Sequence, residues 1–133
     1  MSDVRFGSES EFVKITFPSS YTEEGWGQAE VEIAVKCFGG LIRPYLRVAD
    51  VAAFTIALRK LYETLKGSAA FRPLEDQFSL QLEGTTGGGI HVTGHAWSRA
   101  VCGNKLQFEL ELDQSYLREP LQALEKLTAR PGA

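Results

Sequence analysis

Lys105-Leu106-Gln107-Phe108-Glu109-Leu110-Glu111-Leu112-Asp113 alternates apolar and polar residues without a break from Leu106 to Asp113. A period of two belongs to a strand with one face in a core and the other in water. Its wet face is acidic. Gln114-Ser115-Tyr116-Leu117 follows at once and ends the pattern. One-sided burial points to an antiparallel sheet, since parallel sheets are covered on both faces.

The same period recurs on both sides of this stretch. Val4 and Phe6 begin a short run that Gly7-Ser8 interrupts, and Val13, Ile15 and Phe17 share one face of the next run before Pro18 stops it. Residues 18–27 are rich in turn formers and read as a loop. Gln28 to Phe38 then places Val31, Ile33, Val35 and Cys37 inward, with Glu30, Glu32 and Lys36 outward. Gly39-Gly40 is a hairpin signal, and Leu41 to Val48 reads as the returning strand, where Pro44 marks an edge or bulge. Further on, Phe78, Leu80 and Leu82 alternate, Gly84 to Gly89 turns the chain, and Ile90 to Ser98 comes back. A turn at Gly103-Asn104 leads into the strand quoted above.

Between the two groups of strands the period becomes 3.6. Val51, Phe54, Leu58, Leu61 and Leu65 form one apolar stripe on a helix. Asp50 suits the N-cap, Arg59, Lys60 and Lys66 suit the negative helix end, and Gly67 suits the stop. Each buried side chain of the stripe contributes roughly 1.5–3 kcal/mol before entropy. After Asp113, Leu117, Leu121, Leu124 and Leu127 fall on one face of a second helix, with Pro120 in its first turn. The order is four strands, a helix, three strands and a helix. It predicts an α+β fold: a twisted antiparallel sheet of about seven strands with the long helix on its apolar face.

Length and composition set limits. The 133 residues fit one domain, with a core over about 4–128 and a frayed tail at 129–133. Fourteen Lys and Arg against 17 Asp and Glu leave a net charge of −3, which speaks against nucleic acid and allows a basic protein partner. No apolar run approaches the roughly 18–20 residues of a membrane span, and Met1 to Phe6 lacks a secretory pattern, so a cytoplasmic location is expected. Cys37 and Cys102, set among apolar neighbours, are then expected to be buried free thiols.

The reactive residue types form no catalytic or cofactor constellation. His91 and His95 share a strand face but lie about 13 Å apart, too far to ligate one metal ion. Gly84-Thr85-Thr86-Gly87-Gly88-Gly89 lacks the lysine and following helix of a phosphate loop, so a hairpin turn explains it better. Ser98, Ser115, Cys37 and Cys102 sit in no nucleophile elbow. Neither an enzyme nor a cofactor is therefore expected. What stands out is charge: Glu30 and Glu32, Glu83, and Glu109, Glu111 and Asp113 point away from the apolar side of three strands. Close together they would steer a basic partner, with Trp26 in its Gly-flanked loop as an anchor.

Several segments carry a family resemblance. The helix Asp50 to Gly67 is followed by Ala69, by Phe78-Ser-Leu-Gln-Leu82, and by Gly89-Ile-His-Val-Thr-Gly94. The chain then closes on Leu106 to Leu117, whose Asp113-Gln114-Ser115-Tyr116-Leu117 is similar to the Asp-Gln-Thr-Tyr-Leu-like strand end of one family. Over residues 28–128 this order resembles the bacterial WapI-type immunity proteins and related small proteins of unknown function. The resemblance implies a non-enzymatic protein that binds and neutralises the toxic domain of a polymorphic toxin, and it carries over no catalytic residue. Physically, Asp113 is suited to accept turn N–H groups, and Tyr116 and Leu117 to seat the second helix. The alternative function is a small-molecule-binding or sensory domain with a pocket between helix and sheet.

Overall fold

The computed structural model, which describes residues 2–129, is an α+β fold in which the quoted stretch belongs to the final strand. Six strands come first: β1 (Ser2–Gly7), β2 (Phe12–Phe17), β3 (Trp26–Gln28), β4 (Glu30–Val35), β5 (Phe38–Ile42) and β6 (Tyr45–Arg47). Helix α1 (Val48–Thr64) precedes β7 (Ser68–Phe71), β8 (Phe78–Gly84), β9 (Gly89–Arg99) and β10 (Cys102–Asp113). A 3-10 turn, Gln114–Tyr116, leads into α2 (Arg118–Thr128). Beyond Ala129 the expected tail lies outside the described residues.

All strand pairs are antiparallel, but they divide over three sheets where about seven strands in one sheet were expected. The first sheet has the order β1-β2-β4-β5, the second β10-β9-β8-β7, and β3 pairs with β6 in a small ribbon. Pro44 causes part of this split. It has no N–H for a ladder, so the expected Leu41–Val48 strand breaks there, while its carbonyl accepts from Ala29 N at 2.9 Å. Two short strands, β3 and β7, carry too few residues to show a period from sequence.

The alternation in β10 is used as expected. Phe108 and Leu110 are buried, Leu106 and Leu112 pack at the margin of the core, and Glu109 and Glu111 are exposed. Phe108 lies opposite Gly94. A Cβ at Gly94 would come within 2.5 Å of Phe108 Cζ and of the Ser79 carbonyl, so only glycine lets that ring cross β9. In the first sheet Val4, Ile15 and Val31 form one buried row, and Phe6, Val13 and Ile33 the next.

Helix α1 buries Val51, Phe54, Leu58 and Leu61 as the stripe predicts, but both ends differ. The extended N-cap is Arg47, because β6 pairs through Arg47 and the helix starts at the next residue. Asp50 instead sits in the first turn, where its charge suits the positive helix end. The stop is Leu65, not Gly67: Leu65 is left-handed (φ 58°) and donates its N–H to the Leu61 carbonyl at 2.7 Å. No basic residue occupies the last helical turn.

Two turns also fall earlier than expected. The β4–β5 hairpin turns at Lys36-Cys37, since Val35 pairs with Phe38, and Gly39-Gly40 lie within the returning strand. The β9–β10 hairpin turns at Ala100-Val101, since Arg99 pairs with Cys102. Both cysteines thus lie at hairpin ends and are exposed free thiols, which corrects their expected burial.

Aromatic packing joins the layers. Phe54 of α1 meets Phe6 of β1 (ring centroids 6.1 Å) and Phe71 of β7 (5.6 Å), and Phe71 meets Phe78 of β8 (6.2 Å). These rings occupy the contact between α1 and the two sheets, in the region where the alternative function places a ligand. Helix α2 rests on β1 and α1 through Leu117, Leu121 and Leu124. Arg59 of α1 clamps Glu125 of α2, with Nε to Oε2 at 2.8 Å and Nη2 to Oε1 at 2.5 Å. The hydrogen bonds from Arg59 hold the Glu125 carboxyl below the usual carboxylate range, partly offset by desolvation.

Phe54→Ala should lower unfolding stability by about 3–5 kcal/mol in denaturant titrations, the usual range for truncating a core phenylalanine. Glu125 is depressed in the folded state, so its contribution is present above the unfolded pKa and lost as pH falls through the folded one. Glu125→Gln should therefore melt below the wild type near pH 7, and the gap between the two Tm values should narrow as the pH is lowered through the carboxylate range.

Candidate functional site

The outer face of the second sheet is assembled by register. Glu111 lies opposite His91, which lies opposite Glu83, and Glu109 lies opposite Thr93, which lies opposite Gln81. Glu83, Glu109 and Glu111 are exposed and surround His91, whose Nδ1 contacts Glu111 and whose Nε2 is 3.6 Å from Glu109. Strand alternation from three separate parts of the chain thus yields one acidic face.

Beside this face, Ser8 and Glu11 from the β1–β2 turn come up against β10. With Glu109, Leu110, Glu111, Leu112 and Tyr116 they line an open groove of about 430 Å³. Tyr116 is 40% exposed there, although a phenol ring commonly buries most of its surface.

The Asp113–Leu117 corner explains how that ring is held. Asp113 caps the 3-10 turn, its Oδ1 accepting from Ser115 N at 2.9 Å and from Ser115 Oγ at 2.5 Å. Gln114 Nε2 donates to the Tyr62 carbonyl of α1 at 2.7 Å, and Leu117 is fully buried. Asp113 and Leu117 take the roles expected of them. Tyr116 lines the groove and stays exposed, while Leu117 beside it is the residue that enters the core. The anchoring role of Gln114 has no sequence signal, since its acceptor lies 52 positions away.

The other candidate residues go elsewhere. Glu30 and Glu32 belong to the first sheet, where Arg43 (3.3 Å) and Lys14 (3.5 Å) pair with them. Asp113 is engaged as a cap. Trp26 is half-buried in the β3–β6 ribbon, with the Arg47 guanidinium 5.7 Å from its ring. Of the seven residues expected to form a surface, three come together on the acidic face: Glu83, Glu109 and Glu111.

His95 is separate from His91 in its partners. Its Nδ1 is 3.0 Å from Ser79 Oγ and its Nε2 is 3.1 Å from Asp76 Oδ1. These are the residue types of a hydrolytic triad, but with the ring reversed: there the serine sits on Nε2 and the carboxylate on Nδ1. Asp76 is half-exposed in the β7–β8 connection. Together with the Gln77–Trp97 backbone bond (2.8 Å), the chain of contacts fastens that connection to β9.

The candidate site is therefore an open sheet face with an adjoining groove, carried on an α+β frame. The chain belongs to the WapI-like immunity protein family, whose family model matches residues 5–132. That membership supports an immunity-type function and, in general, a protein partner of the toxin kind. No curated protein matches the chain. Among the described residues no helix is long and apolar enough to cross a membrane.

The corner separates structural from presented residues in a measurable way. Gln114→Ala should cost about 1 kcal/mol of stability by leaving the Tyr62 carbonyl without its donor. Tyr116→Ala should leave the unfolding free energy from denaturant titration within about 0.5 kcal/mol of wild type, as expected for an exposed side chain.

Proposed function

We propose that the protein is a non-catalytic, cytoplasmic bacterial immunity protein that neutralises a polymorphic-toxin domain by binding it through the acidic face and its groove. The observation that carries this reading is Tyr116, an exposed aromatic among Glu11, Glu109 and Glu111 whose chain neighbours Gln114 and Leu117 are anchored to α1 and the core. Pre-ordered aromatics make strong interface anchors, since they bring large area at little entropic cost. Carboxylates around such an anchor attract a basic partner and speed its arrival more than they strengthen the final complex. Family membership supports the same assignment.

The partner to try first is the C-terminal domain of a large secreted repeat protein encoded directly upstream of this chain. Co-expression should restore growth to cells making that domain, and failure to do so counts against the immunity reading. With the complex in hand, the double reversal Glu109→Lys/Glu111→Lys should slow association about tenfold at low salt and reverse its salt dependence. Unchanged association kinetics would move the interface off this face.

A further inference from the structure

The two main sheets have four outer strands. Helix α2 lies against β1 and helix α1 against β7, while β10 borders the groove beside the β1–β2 turn. Strand β5, Phe38-Gly39-Gly40-Leu41-Ile42, is the fourth. Phe38 is 66% exposed and Leu41 53%, and the strand carries no charge. An uncharged apolar edge is a template for another strand, which proteins otherwise blunt with charge, proline or a cover.

Gly40 adds a second, independent observation. It shares a row with Ile33 on the inner face of the first sheet, and a Cβ built on it meets nothing within 4 Å. Its backbone has no positive φ, so neither conformation nor crowding inside the chain demands glycine there. The missing side chain leaves a cleft of about 210 Å³, open along β5 and walled by Ile33, Ile42, Ala96 and Leu106. The surroundings are cationic. Lys105 lines the cleft and Lys36 lies at the β4–β5 turn, both without an ion-pair partner among the described residues, and no carboxylate lines the cleft.

We propose that the free edge of β5 docks an extended segment of a protein partner, which pairs along Phe38–Ile42 and seats one apolar side chain over Gly40. Main-chain hydrogen bonds along the edge hold the segment, and the cleft selects its alternate side chains. Lys36 at the β4–β5 turn and Lys105 beside the cleft favour a segment that carries carboxylates. A second copy of this chain fits less well: antiparallel pairing of β5 with itself about Gly39-Gly40 would set Lys36 against Arg43 at both ends. The site is distinct from the acidic face and does not depend on what binds there.

The test uses the whole protein, labelled with nitrogen-15, and the peptide acetyl-Glu-Val-Thr-Leu-Thr-Val-Glu-amide. Binding should shift the amide signals of residues 38–42 together with Ala96 and Leu106, and should slow hydrogen exchange along β5. Gly40→Leu fills the cleft from within; it should keep or raise the Tm and weaken peptide binding at least about tenfold. Lys105→Glu should turn the preference from the Glu-ended peptide to its Lys-ended counterpart. The proposal is overturned by an absence of shifts at β5, by undiminished binding to Gly40→Leu, or by β5 amides already protected through concentration-dependent self-association.

Discussion

Phe54 stands between Phe6 and Phe71, and through that contact one helix holds two sheets that share no ladder hydrogen bond. Each sheet is one-sided and cannot stay folded with its apolar face in water. Helix α1 brings Phe54 into the apolar faces of both, and the run from Phe6 through Phe54 and Phe71 to Phe78 is where the three surfaces meet. Dense packing there leaves no slack.

Function is carried at the periphery of that arrangement. Gln114 reaches α1 and Leu117 enters the core, so the end of β10 is fixed to the helix that organises the sheets. Tyr116 is presented because its neighbours on both sides are held. Glu109 and Glu111 near it belong to the outer face of β10, which continues through His91 to Glu83 of β8, and the fold leaves that face to solvent. Strand β5 is another presented element: it pairs with β4, borders β9 across the cleft, and Gly40 places no side chain in the space beside it.

Much of the fold was legible because burial imposes a period. The alternation from Leu106 to Asp113 and the stripe Val51, Phe54, Leu58, Leu61 each reported a buried face, and the structure uses both. Boundaries were less legible. Pro44 read as an edge or bulge, but its effect was to send the chain into another sheet. Gly39-Gly40 suggested a turn, yet the ladder closes at Lys36-Cys37 and carries both cysteines to exposed hairpin ends. Turn propensity is a local preference of well under the free energy of a whole ladder in register, so the ladder decides.

The candidate surface divided in the same way. Which residues are acidic and face outward is a property of each strand alone, and alternation supplied it. Which strands are neighbours is not. Glu30 and Glu32 belong to a different sheet, paired with Arg43 and Lys14, while Glu83, Glu109 and Glu111 meet around His91. By itself the sequence determined the two helices, the longer strands with most of their buried faces, and the family signature at Asp113–Leu117, because these depend on spacing along the chain. Only the tertiary structure decided the sheet partition, the exposure of Tyr116 and the open cleft at Gly40. Those depend on contacts between residues tens of positions apart, which packing brings together and local pattern does not encode.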